Sequence, residues 1–288
     1  MKYIVPIHQI KYLSKLTNDS DGLFFGNDRF GTRLTQSYNI HDINEMIEFL
    51  YASQKASFLM CQQMMTDDDL YAFKAWIQNI HTNHLTGIIV ADIGAVMVLK
   101  DLSLHDKVIY HPETLHTNDY DFNDLSAFHI SGAFVGKEIT IDDILRIGKH
   151  KKHQLFMIGH GHLNMFYSRR YLLEHYTNYA QLAIDLKHKK TLRIKEEERP
   201  NEMYPVMEDQ AGTHIFRAQV FHTSDDLLAL SQIVDYLFLD TIFKDDSYTI
   251  DVLKLYKKQN MHIKQQLIDQ YKETWDKGFL YQKTIYKK

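Results

Sequence analysis

Residues 156–173 read FMIGHGHLNMFYSRRYLL, and this stretch is the starting point for interpreting the chain. An apolar run ends at His160-Gly161, and seven residues later comes Ser168-Arg169-Arg170, followed by a second apolar pair. A short run that is apolar at every position, rather than at alternate ones, is typical of a strand covered on both faces. The stretch therefore predicts a buried strand of a parallel sheet with polar residues directly after its end.

Runs of the same kind recur along the whole chain. With residues 155–158 they make eight candidate strands, the others being 3–7, 22–25, 56–61, 87–91, 107–110, 133–135 and 236–239. Amphipathic stretches lie between them, for example residues 42–54, 67–80 and 141–150. Alternation of buried strands with helices favours βα units. We therefore expect an α/β protein with a (β/α)8 TIM-like barrel.

Residues 179–221 break this alternation. They contain short strand-like segments at 191–195, 203–206 and 213–216, with turns at 199–201 and 210–212. We expect a small β insertion here, between the last two barrel strands. The predicted organisation is a barrel domain over residues 1–260, which includes the 179–221 insertion, and a C-terminal helical tail over 261–288.

Composition narrows the class of protein. The chain has 288 residues, a formal net charge of −4 and one cysteine, Cys61, which excludes an internal disulfide and a four-cysteine site. The amino-terminal apolar run is too short for a signal peptide, and no run reaches the ~18 apolar residues of a membrane span. We expect a cytoplasmic protein without a membrane partner. Basic stretches at 187–195 and 283–288 are either solvated faces or a phosphate-contacting edge.

Polar residues follow most of the predicted strands, where the active sites of such barrels lie. This group comprises Arg33, Asp92, His111, Glu113, Lys137, Glu138, His160, His162 and Asp240. The alternative is that the acids cap helices and turns, above all Asp92 and Asp240. Three imidazoles, from His111, His160 and His162, could meet at one metal, but their spacing matches no zinc motif and we predict no metal site.

Protease chemistry has little support in these residues. Cys61 lies inside an apolar run, which is typical of a buried small hydrophobe. Ser168 lacks the Gly-x-Ser-x-Gly elbow of serine hydrolases.

The His160-Gly161 strand end with Ser168 and Arg170 resembles the signature of the peptidase U32 family of collagenase-like proteases. The two signature cysteines are replaced by Asn164 and Tyr171. The resemblance extends to Asp21–Gly26, Arg33, Asp92, Lys137-Glu138-Ile139 and residues 204–212, and Glu113 and Thr114 stand where Ser-Thr is usual. It implies a barrel fold. Because members that hold an iron–sulfur cluster use those cysteines, it also implies that this chain holds none.

The resemblance also suggests roles for particular residues. We expect His160 and Glu138 to act in catalysis, and Arg33, His111, Arg170, Asp92 and Ser168 to bind substrate. Guanidinium groups fit carboxylates in two places, and relatives that hydroxylate RNA bases use the dicarboxylate prephenate as oxygen donor. The chain resembles the shorter of two paired members involved in hydroxylating the transfer-RNA wobble uridine, with a longer, cluster-bearing partner that carries most RNA contacts. The alternatives are a collagenase-like peptidase and a non-catalytic partner subunit.

Overall fold

The computed structural model describes residues 1–283. Its strands are β1 (Lys2–Pro6), β2 (Gly22–Gly26), β3 (Ala56–Cys61), β4 (Gly87–Val90), β5 (Val108–Tyr110), β6 (Gly132–Phe134), β7 (Gln154–Gly161), β8 (Asn164–Ser168), β9 (Arg193–Ile194), β10 (Tyr204–Asp209), β11 (Gly212–Phe216), β12 (Val220–His222), β13 (Tyr236–Leu239) and β14 (Trp275–Asp276). Its α-helices are α1 (Leu13–Asp19), α2 (Ile40–Ala52), α3 (Asp67–Ile77), α4 (Ile93–Asp101), α5 (Asp119–Asn123), α6 (Ile141–His150), α7 (Leu172–Tyr179), α8 (Leu227–Leu230), α9 (Asp246–Lys258) and α10 (Met261–Tyr271).

Eight parallel strands close into a barrel. Strands β1 to β7 pair in chain order, and β13 pairs with both β1 and β7. The predicted (β/α)8 barrel is therefore confirmed. Aromatic rings fill its interior, where Phe58, Phe156 and Phe238 are almost fully buried. A second apolar layer lies between the strands and the surrounding helices.

Several helices begin at the residues that their capping chemistry predicts. Thr66 and Asp69 form a capping box at the start of α3, and Thr140 caps α6. Such caps satisfy backbone N–H groups that have no partner inside the helix. These caps fix where α3 and α6 begin after the loops that follow β3 and β6.

The β insertion follows the seventh strand, as expected, but its extent differs from 179–221. Its four-stranded sheet has the order β8-β11-β10-β9 and begins at Asn164. Strand β12 lies outside this small sheet and pairs antiparallel with β7, extending the main sheet.

The C-terminal segment packs onto the barrel up to residue 283. Strand β14 pairs with β12, and Leu267 and Leu280 are buried. This segment, predicted as a helical tail, contains helix α10 and also contributes to the core. Residues 284–288 of the predicted tail lie outside the described residues. Within residues 1–283, no helix is long and apolar enough to cross a membrane.

Candidate active site at the barrel mouth

A cavity lies at the carboxyl ends of the barrel strands, where parallel barrels carry their sites. It encloses about 70 Å³, less than the several hundred Å³ of typical small-molecule sites. Its polar lining comprises Thr32, Arg33, Gln62, His111, Glu113, Lys137, His162, Asn164 and Asp240. A larger ligand would therefore enter only if some of these side chains move.

An ion cluster dominates the cavity. One carboxylate oxygen of Glu113 accepts from the Arg33 guanidinium, and the other accepts from Lys137 Nζ at 2.8 Å. All three side chains are largely buried, with 11%, 25% and 11% exposure for Arg33, Glu113 and Lys137. Burial alone would raise the pKa of Glu113, but Arg33 and Lys137 outweigh it and hold that pKa well below its usual range. The two cations thus share an internal carboxylate.

Both ends of the Arg33–Glu113 pair sit on unusual backbone. Arg33 has φ of 55° and Glu113 has φ of 64°, in the left-handed region that side-chain-bearing residues rarely adopt. Asp209 of the insertion holds Arg33 in place, because its Oδ2 accepts the Arg33 backbone N–H at 2.8 Å and the Thr32 hydroxyl at 3.0 Å. Strain of this kind persists only where neighbouring contacts enforce it, and it clusters at functional sites.

His111 lies against the ion cluster as a neutral imidazole. Burial lowers its pKa to about 4, although Glu113 acts in the opposite direction. Its Nδ1 has no hydrogen-bond partner among residues 1–283 and lies 3.6 Å from a Glu113 oxygen, while the centroids of its ring and of the Phe134 ring are 4.1 Å apart. An unpartnered buried nitrogen facing a cavity is available to a ligand.

Asp240 is the acid of this mouth whose pKa is raised. Burial raises it to about 6, against the opposing effect of the Ile242 backbone N–H that its carboxylate accepts at 3.0 Å. A carboxyl group that titrates near neutrality is suited to proton transfer. Asp240 is therefore both a turn-capping residue and a candidate acid or base.

His160 does not line the main cavity. Strand β7 carries an extra residue, Gly159, in its pairing with β13, and such a bulge turns the following side chain to the other face. The His160 ring is fully buried outside the barrel, with Nε2 3.0 Å from the Tyr248 hydroxyl and the Trp275 ring 4.8 Å away. Burial lowers its pKa to about 3. Its predicted role in catalysis has no support from this position.

Glycines make that bulge possible. A Cβ on Gly159 would lie 2.5 Å from the Leu237 side chain. Gly161 has φ of 122°, and a Cβ there would lie 2.3 Å from the Asp240 carbonyl oxygen. Close backbone approach and positive φ both require glycine. His162, just after the bulge, lines the cavity and bonds through Nδ1 to the Arg217 carbonyl oxygen at 2.8 Å.

The structure divides the predicted substrate-binding residues. Arg33 and His111 meet at the mouth. Asp92 caps α4, accepting the Ala95 N–H at 3.2 Å, and Ser168 accepts the Arg170 N–H at 3.2 Å in an exposed turn. The position of Asp92 follows the alternative interpretation, in which the strand-end acids cap helices and turns.

Glu138 and Arg170 are exposed and lie outside the cavity lining. The acid that pairs with Arg33 is Glu113, which follows strand β5, and not Glu138, which follows strand β6. Glu138 therefore has neither the position nor the burial of a catalytic acid at this mouth.

The two signature positions carry no thiol, because they are occupied by Asn164 and Tyr171. Asn164 donates its side-chain N–H to the Phe166 carbonyl, and Tyr171 donates its hydroxyl to the Gln210 carbonyl. Iron–sulfur clusters are held by thiolates, and the chain's one cysteine is buried at Cys61. Among residues 1–283, no group of three or more His, Cys, Asp or Glu side chains could hold a metal ion.

The sequence identifies candidate residues for this site but does not show which of them share the cavity. Glu113, Lys137 and Asp240 all follow strands, so the strand-end rule finds them but does not place them above Glu138 or His160. The Asp209–His214 pair of the insertion, with oxygen and Nε2 3.1 Å apart, has no strand-end signal. In the sequence, only Asp209 of this pair falls in a stretch with family resemblance, residues 204–212.

The chain is similar in sequence to a known protein family and to two characterised proteins. The sequence profile of peptidase family U32 matches residues 9–283. The tRNA hydroxylation protein P2 of Bacillus subtilis is 22% identical over 304 aligned positions, covering 98% of each chain. The 23S rRNA 5-hydroxycytidine C2501 synthase of Escherichia coli is 21% identical over 161 positions, which cover 56% of this chain and 24% of that protein.

One solved structure confirms the architecture. The U32 peptidase Mk0906 superposes with a TM-score of 0.52 at 12% identity, covering 84% of this chain and 92% of that chain. At this identity the likeness establishes the shared fold and nothing about chemistry.

Proposed function

The chain belongs to peptidase family U32, and on that premise we propose that it is a subunit of the machinery that hydroxylates the wobble uridine of transfer RNA. The observation that carries this proposal is the end-to-end similarity to tRNA hydroxylation protein P2, which covers 98% of both chains. The rRNA 5-hydroxycytidine synthase supports the same class of reaction over 56% of this chain.

We assign the chain a binding role within that machinery. Arg33 and Lys137 converge within the mouth, and two cations at one place suit a carboxylate ligand such as prephenate, the proposed oxygen donor. A longer U32 partner with the cysteine set would hold the cluster that Asn164 and Tyr171 cannot ligate. The carboxylate of Glu113 must leave the cations before such a donor can bind.

One observation favours a second role, that of a non-catalytic partner subunit. Glu113 already neutralises the cations that a carboxylate donor would use, and the cavity holds about 70 Å³. In this role the mouth stabilises the fold or the partner interface and binds no oxygen donor. The double change Arg33→Ala with Lys137→Ala, which removes both cations of the mouth, separates the roles, because an idle mouth leaves complementation unchanged.

The peptidase alternative finds no support in its candidate nucleophiles. Cys61 is fully buried between barrel and helices, where burial raises its thiol pKa well above the usual value. The Ser168 hydroxyl accepts a backbone N–H in a turn outside the cavity. Neither side chain is placed to attack a bond bound at the mouth.

The experiment is mass spectrometry of transfer-RNA nucleosides from a strain lacking the gene and any oxygen-dependent route to the same modification. The strain is complemented with wild type, with Arg33→Ala, or with Arg146→Ala as a matched change at an exposed arginine. We expect wobble 5-hydroxyuridine derivatives to disappear on deletion and to return with wild type and Arg146→Ala only. An unchanged nucleoside profile in the deletion strain would remove the proposal.

A further inference from the structure

The segment that opens the insertion carries a charge opposite to that of the whole chain. Residues 164–195, here called the basic arm, contain seven lysines and arginines against two acids, a formal +5 in a chain of net charge −4. The arm comprises β8, α7 and β9 with their connecting loops. Such asymmetry is typical of a surface that meets a polyanion.

The cations of the arm lack acidic partners. Among residues 1–283, no carboxylate oxygen lies within 4.0 Å of the charged groups of five of them: Arg169, Arg170, Lys187, Lys189 and Lys195. Cations elsewhere are commonly paired, as Lys264 and Lys277 are with Asp225 at 3.1 and 2.8 Å. These five charges of the arm can therefore meet phosphates without first breaking an ion pair.

Aromatic side chains stand among these cations. Leu172, Tyr176 and Tyr179 follow one another at spacings of four and three along α7, which places them on one face of the helix. Tyr176 is 57% exposed and Tyr179 is 89% exposed, and Phe166 on edge strand β8 is 43% exposed. Exposed rings between such cations are the combination that proteins use to bind single-stranded nucleic acid, because bases stack on the rings.

The arm is also anchored beside the mouth. Lys190 donates to the carbonyl oxygen of Thr35, in the same loop as Arg33, and the Arg193 guanidinium lies 5.4 Å from the Phe243 ring centroid. Lys190 and Arg193 thus tie the arm to the strand-end loops after β2 and β13, two strands that flank β1 in the barrel. A nucleic acid held on the arm would lie next to the loops that surround the cavity, and a base turned out of its stack would enter the cavity only after lining side chains move.

We propose that the basic arm is a binding surface for single-stranded RNA, taking phosphates on its five cations and stacking unpaired bases on Tyr176 and Tyr179. The identity of the RNA as a transfer-RNA anticodon loop rests on the proposed function. The charge of the arm favours RNA over an apolar protein partner, because a protein interface depletes lysine at its centre.

The test measures binding of a fluorescently labelled anticodon stem-loop to the purified full-length chain by anisotropy, over a range of salt concentrations. The variants are Lys189→Ala with Lys195→Ala, and Tyr176→Ala with Tyr179→Ala. The control is Lys254→Ala with Lys149→Ala, on helices α9 and α6. Thermal melts verify that each variant is folded.

We expect the lysine pair to lower the slope of log affinity against log salt by about 0.7 for each phosphate that the variant no longer neutralises. We expect the tyrosine pair to weaken binding about 5- to 100-fold for each base that no longer stacks. The control pair should leave affinity and slope unchanged.

Absence of RNA binding by wild type, or equal affinity and slope in all variants, would overturn the proposal. So would a tyrosine variant that keeps its RNA affinity but no longer co-purifies with a U32 partner, since the arm would then be a protein interface. RNA binding by the arm with an unchanged nucleoside profile in the deletion strain would refute the proposed function and leave this surface standing.

Discussion

Replacing Glu113 with glutamine tests the central contact of the mouth. In the native protein, its carboxylate accepts from the Arg33 guanidinium and from Lys137 Nζ, and all three side chains are at most 25% exposed. Glutamine keeps the shape of the side chain but removes the charge. Two largely buried cations then face each other without a counter-ion, close to the neutral ring of His111.

The size of the effect follows from burial. Removing one partner of a buried ion pair costs about 3–5 kcal/mol, because the other charge is left uncompensated. The 25% exposure of Glu113 lets water screen part of this, so we expect the lower end, about 3 kcal/mol. For a chain of this length that corresponds to a fall in Tm of roughly 5 °C. Because the pKa of Glu113 is held below the ordinary ~4.3, the effect is complete at pH 7 and fades only as pH falls below ~4.

The assay is urea unfolding at pH 7, with and without the dicarboxylate malonate. Glu138→Gln is the matched control, because Glu138 is exposed and has no part in the cluster. We expect the control to change stability by less than about 0.5 kcal/mol. Malonate at tenfold its Kd should restore about 1.4 kcal/mol to Glu113→Gln, and much less to wild type, where Glu113 competes for the same cations.

Two results would refute this reasoning. If Glu113→Gln were no less stable than Glu138→Gln, Glu113 would not be the counter-ion of the cluster. If malonate stabilised wild type and Glu113→Gln equally, Glu113 would not occupy an anion site, and the carboxylate-binding role of the mouth would have no basis.

Further predictions concern three residues around the mouth. Asp240→Asn should have the stability of wild type near pH 4 and exceed it by up to about 3 kcal/mol above pH 6. The raised pKa of about 6 means that the ionised carboxylate of Asp240 destabilises the native state only at higher pH. Urea unfolding across this pH range tests the prediction, and a stability difference that does not change with pH would contradict it. Wild type should lose stability as the pH falls below 6.5, because the pKa of His160 is about 3 in the folded chain and about 6.5 in the unfolded chain. His160→Gln should therefore lose about 2 kcal/mol less stability than wild type between pH 7 and pH 5. The same pH profile in both proteins would argue against a buried neutral ring. Asp209→Ala should cost about 3 kcal/mol and speed proteolysis of the loop that carries Arg33, because the Thr32 hydroxyl and the Arg33 N–H lose their acceptor, as do the Ala211 N–H and the His214 ring; proteolysis at the native rate would show that the loop keeps its conformation without Asp209.

Much of the architecture was accessible from local sequence. The run Ala56–Cys61 is a strand over the predicted residues, and α6 spans the predicted 141–150. Strands buried on both faces must be apolar throughout, and helix starts need a side-chain cap, so both leave a record in adjacent residues. The extent of the insertion was less accessible, because β8 begins directly after the barrel strand without a turn-rich boundary.

The sequence by itself determined the barrel, the family and the absence of cysteine at positions 164 and 171, since these depend on residue types at particular positions in the chain. Only the tertiary structure decided which polar strand ends share a cavity. A one-residue bulge at Gly159 turns His160 out of the barrel, and Glu113 reaches Arg33 from a position 80 residues away in the chain. Side-chain direction depends on pairing register, and contacts between distant strands depend on barrel closure, so neither is written in the local pattern.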